Sequence, residues 1–107
     1  MQSPDVGDLR AFAPPNDAFA VLVQLIVGPS DGPGEESFDV LVCSPAWLAD
    51  QTGPIIGRHH LIVQGFSYDE VERVVLSYLQ RCEGDEWKDV AEKVGRLGLW
   101  EFEDYRP

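Results

Sequence analysis

Residues 28–34 read Gly-Pro-Ser-Asp-Gly-Pro-Gly, three glycines and two prolines in seven positions, and no helix or strand can run through them. On either side lie runs rich in Val, Leu and Ile, residues 18–27 and 37–43. Two strands joined by one loop of this length are expected to pair as an antiparallel hairpin with a long acidic connection. The loop lacks a Gly-Lys-Ser/Thr ending, so it is not a phosphate-binding loop. The first run is apolar on nearly both faces, with Val21, Val23 and Leu25 on one and Leu22 and Ile26 on the other. Such a strand is central in its sheet, or its second face is covered by the segment before it or by a partner.

The remaining elements follow from caps and periodicity. Ser44 can cap a single helical turn that begins at Pro45 and seats Trp47, and Gly53-Pro54 breaks it. Residues 60–63 make a third short strand. Ser67-Tyr68-Asp69-Glu70 is a capping box with Phe66 at the staple position, and Val71, Val74, Val75, Tyr78, Leu79 and Cys82 recur at helical spacing until Gly84. Asp85 can cap a second helix whose face is Trp87, Val90, Ala91 and Val94, stopped near Gly95. Residues 97–102 form a last strand, with Trp100 and Phe102 on one face. Strands first and helices afterwards predict an α+β fold: an antiparallel sheet of three to four strands covered on one face by two C-terminal helices. The 107 residues make one domain, with residues 1–16 as an irregular lead-in.

The unusual quantity is charge. Eight Lys and Arg stand against nineteen Asp and Glu, a net of −11. That balance favours encounter with basic surfaces and disfavours nucleic acid, which needs a positive patch. The acids are clustered: Asp31, Glu35, Glu36 and Asp39 around the first loop; Glu83, Asp85, Glu86 and Asp89 before and within the second helix; and Glu101, Glu103 and Asp104 in the tail. The longest apolar run, residues 21–27, is too short to span a bilayer, so no membrane association is expected. Residues 1–8 are polar and lack the basic start and apolar stretch of a secretory signal. A cytoplasmic protein with reduced Cys43 and Cys82 is the expectation.

Candidate chemistry is sparse. His59 and His60 are adjacent and point to opposite faces if both lie on a strand, so they do not share a metal. Cys43 with His60 could form a nucleophile pair, yet a cysteine within a strand is more often a small buried hydrophobe. Ser44 lacks the glycine-flanked elbow of a nucleophile. The carboxylates are plentiful, but a thin sheet and two helices leave little room for a cleft between a catalytic pair. No enzyme activity, cofactor or metal is expected. Trp47 and Trp87 sit among apolar neighbours and read as core, whereas Trp100 and Phe102 either dock inward or help a partner.

Several segments together resemble a known family. Cys43-Ser44-Pro45-Ala46-Trp47-Leu48 after a strand, Gly57 leading into His60-Leu61-Ile62-Val63, Trp87, and Trp100-Glu101-Phe102-Glu103-Asp104-Tyr105 are similar to the immunity protein 8 family of bacterial polymorphic toxin systems. The resemblance implies a small cytoplasmic protein that binds and neutralises a cognate toxin domain without catalysis or cofactor. Charge points independently to a basic partner, and the resemblance implies what kind, since many toxins of such systems are nucleases with a positive cleft. The residues expected to bind it are Asp31, Glu35, Glu36 and Asp39 of the hairpin and Glu101, Glu103, Asp104 and Tyr105 of the tail. A small regulatory domain that forms a homodimer through the two-faced hairpin is the alternative.

Overall fold

The computed structural model describes residues 1–29 and 32–104. Strand β1 (Ala20–Val27) and strand β2 (Glu36–Cys43) pair antiparallel with Val23 opposite Val40, as the loop between them requires. Helix α1 (Pro45–Ala49), strand β3 (His60–Ile62), helix α2 (Tyr68–Leu79), helix α3 (Trp87–Val94) and strand β4 (Leu99–Trp100) follow. The fold is α+β. Its four-stranded sheet is centred on β2, which pairs with β1 on one side and with both β3 and β4 on the other.

The sheet is mixed, which corrects the expectation of a purely antiparallel one. β3 runs parallel to β2, with Leu41 opposite His60 and Cys43 opposite Ile62. The reason lies in the connection. Residues 44–59 contain a helical turn and a long loop, enough chain to double back from the end of β2 and re-enter beside Leu41, and a parallel neighbour needs such a crossover. β4 is antiparallel to β2, with Phe38 opposite Trp100.

One face of the sheet is dry. Val21, Val23, Leu25, Phe38, Val40 and Val42 form a single buried cluster with Val71 and Val75 of α2 and Ala91 and Val94 of α3. β1 has one buried face rather than two, because Ile26 on its other face remains 45% exposed. The lead-in is docked. Leu9 is buried in a single 3-10 turn, and Gln2 exchanges backbone hydrogen bonds with Gln24 on the outer edge of β1. The Phe12 ring meets the edge of Phe66 at 5.0 Å, and Phe66 in turn meets Phe19 at 6.3 Å.

The caps are partly as expected. Ser67 Oγ accepts from the Glu70 N–H at 3.4 Å. Ser44 does more than cap α1: its Oγ accepts from the N–H groups of Trp47 and Phe19 and donates to the Asp17 carbonyl at 2.6 Å. Asp85 does not cap α3. Glu86 occupies that position and makes no side-chain cap bond, so the helix start is set by where Trp87 anchors. The last strand is much shorter than residues 97–102, and the chain turns at Glu101. Trp47 is half-buried and lies apart from the buried cluster, whereas Trp87 is half-buried and packs on it.

Candidate functional site

Glu36 opens β2, beside Trp100 of β4 and the first turn of α3. One of its oxygens, Oε2, accepts both the Trp87 and the Trp100 indole N–H, each at 2.9 Å. A half-buried indole needs an acceptor, and a carboxylate at the sheet corner satisfies two at once. The Trp100 ring also stacks on Phe38, with centroids 6.2 Å apart and planes 13° from parallel, and Phe102 packs against its edge. Trp100 therefore docks inward and fastens the end of the chain.

Glu101 replaces the rung that would have continued β4. Its backbone N–H donates to the Ser37 carbonyl at 3.1 Å, and its Oε1 accepts from the Ser37 N–H at 2.9 Å. Half of the rung is backbone and half is side chain, so the strand can end there without orphaning β2. Beyond it Glu103 accepts from Arg58 at 3.1 Å, an ion pair near the surface. Asp104 is exposed and adopts a left-handed backbone, φ 59°.

The two acidic segments, about sixty residues apart in sequence, thus meet at one corner of the sheet. Glu35 is exposed there, next to the inward-turned Glu36. Asp39 lies two rungs along β2 on the face opposite the core, paired with Gln24 on one side and Leu99 on the other. Asp31 and Tyr105 lie outside the described residues. The acids around α3 join the same neighbourhood through Trp87. A cleft of about 420 Å³ beside that ring has Val27, Leu79 and Val90 on its wall and Glu83 and Glu86 among its lining.

Sequence reasoning missed that Glu36, Glu101 and Glu103 hold the structure together at this corner. The signal was available for Glu36, since two tryptophans near apolar faces demand acceptors. It was not available for Arg58, which reaches Glu103 only through the parallel crossover.

Elsewhere the reactive side chains are engaged or shielded. Cys43 is fully buried, and that burial pushes its thiol pKa up, the opposite of what a nucleophile needs. His60 Nδ1 donates to the Arg58 carbonyl at 2.7 Å, and His59 Nε2 donates to the Gly95 carbonyl at 2.8 Å. His59 stands in a left-handed turn at φ 62° before β3 begins, so the two rings serve different elements. Among the described residues no helix is long and apolar enough to cross a membrane. The corner therefore offers fixed negative charge beside aromatic and apolar surface, a chemistry suited to holding a basic partner.

No curated protein and no solved structure matches the chain. The family model described as Immunity protein 8 matches residues 1–105, essentially the whole length, and the chain belongs to that family.

Proposed function

We propose that this immunity protein neutralises the toxin domain of a polymorphic toxin system by binding it directly, in the cytoplasm, without catalysis. Its partner presents a basic surface of the kind a nuclease offers to phosphates, and the acidic protein occupies that surface in their stead. The observation that carries this reading is the convergence of the acidic hairpin and the acidic tail on one hydrogen-bonded corner of a chain with net charge −11. Held charges are worth more to a partner than waving ones, because less ordering entropy is lost on binding.

Within the corner the roles divide. Glu35 and Asp104 are exposed and available to steer the approach of a basic domain. Glu36 and Glu101 are committed to the fold and act by keeping the corner in shape. Asp31 and Tyr105, outside the described residues, are proposed as further toxin contacts.

The test is co-expression with the C-terminal domain of the toxin encoded immediately upstream. Growth should be restored, and the purified pair should form a complex that tightens as salt is lowered. A pair that stays apart at low salt would sink the proposal.

A further inference from the structure

The face of the sheet opposite the core is covered at its Cys43 end and elsewhere only partly, and it mixes aliphatic with polar side chains. Alternation along β1 and β2 sends Leu22, Gln24 and Ile26, with Ser37, Asp39 and Leu41, to that side. β4 adds Leu99 next to Asp39, and β3 adds Ile62 next to Cys43. Ile26, Leu99 and Ile62 are 45%, 48% and 55% exposed. None of the five aliphatic side chains on this face belongs to the buried cluster or packs against it.

Asp39 stands in the middle of this surface, flanked along its row by Gln24 and Leu99. One of its carboxylate oxygens, Oδ1, is shut off from solvent and has no hydrogen-bond partner among the described residues. An acceptor in that condition destabilises the free protein. The residue as a whole is only half-buried, so the rest of its carboxylate remains open to a donor from outside.

We infer that this open face is the docking surface for the toxin domain, with Asp39 receiving a lysine or arginine of the toxin and the surrounding aliphatic side chains excluding water around the pair. The inference rests on the reading of the chain as a toxin-binding protein and adds a docking face beside its acidic corner. A charged anchor closed in by apolar neighbours is the usual build of an interface hot spot. Charge decides the occupant. A second copy of this chain would bring another −11 and another Asp39 against the first, whereas a basic domain is attracted on both counts. Glu101, which bonds Ser37, lies at the Ser37 end of this face, so the docking face adjoins the acidic corner there.

The experiment measures binding of the adjacent toxin's C-terminal domain to the wild-type protein and to the Asp39→Asn, Leu99→Gln and Glu92→Gln variants, with a thermal melt of each. Asp39→Asn should melt at or above the wild-type temperature, because it removes one negative charge from a chain of net −11. It should nevertheless bind roughly 30-fold more weakly or worse, mostly through faster dissociation. Leu99→Gln should weaken binding about tenfold. Glu92→Gln, on the exposed side of α3, should bind like wild type. If wild type binds while Asp39→Asn and Leu99→Gln bind within about twofold of it, the docking face is wrong and the toxin-binding function stands. If wild type itself does not bind, the functional reading falls first. An Asp39→Asn protein that melts well below wild type assigns Asp39 a structural role and overturns the inference. So does a wild-type dimer in light scattering that Leu99→Gln dissolves, since the face then belongs to a second copy.

Discussion

Two tryptophans share one carboxylate oxygen at the sheet corner, and this arrangement changes what Glu36 is for. A hydrogen bond to a charged group is worth about 1.5–3 kcal/mol when its loss strands the partner, less where water can enter. Glu36→Ala removes two at once from half-buried indoles, so urea unfolding should register a loss of about 2–3 kcal/mol. Glu36→Gln keeps a neutral acceptor and should lose less. A wild-type unfolding curve for the alanine variant would mean that water replaces the carboxylate. The cysteines give a second test at this scale. Burial raises the Cys43 thiol pKa in the folded state, so the unfolded chain releases that proton first. Stability is then intact below the ordinary thiol value of 9.0 and falls as pH rises above it. Cys82 is half-buried, and desolvation raises its pKa too, partly offset by Lys93, Arg96 and Arg81. Thiol labelling of the native protein should therefore modify Cys82 first and reach Cys43 only as the chain unfolds.

Among the elements, α1 is the shortest helix and the one most dependent on a single side chain. Ser44 is 1% exposed, and its hydroxyl joins the start of α1, the start of β1 and the end of the lead-in. Ser44→Ala loses the cap and strands the Phe19 N–H, so it should cost about 2–3 kcal/mol in thermal or urea unfolding, more than an ordinary cap. A loss below about 1 kcal/mol would reduce Ser44 to that ordinary role. The cap itself was legible in the sequence, from Ser-Pro before a helical turn. Its other two bonds join residues 25 and 27 positions away and were not. The same limit governs α3, where Asp85 was the better capping residue and Trp87 nonetheless set the start. At β4, Gly98 lets the preceding turn lie against the sheet: a Cβ there would come within 2.9 Å of Val40 Cγ2. That close approach, with the rung completed by the Glu101 side chain, limits the strand to Leu99–Trp100.

At the scale of the whole molecule, net charge acts on folding and on binding in opposite directions. Like charges repel in the compact state, and the described residues form two ion pairs, Arg10–Glu72 at 4.0 Å and Arg58–Glu103 at 3.1 Å. Raising ionic strength from about 0.01 to 0.15 M shortens the screening length from about 30 to 8 Å. The melting temperature should rise across that range while association with the toxin domain slows. Glu35→Lys should flatten the salt dependence of the association rate without changing the melt by more than about half a kcal/mol. A melting temperature that falls with salt would mean the ion pairs outweigh the repulsion.

The sequence by itself determined the hairpin, the order of strands and helices, the apolar face of α3 and most of that of α2 (Val74 is 40% exposed), the charge and the family, because each is written in local spacing, composition or short motifs. Only the tertiary structure decided the rest. The direction of β3 depends on where a crossover returns. The inward turn of Glu36 and the rung made by Glu101 depend on partners about fifty to sixty residues away. The open face around Asp39 depends on which side of the sheet the helices bury. Periodicity marks two faces on a strand, but only packing decides which one meets water.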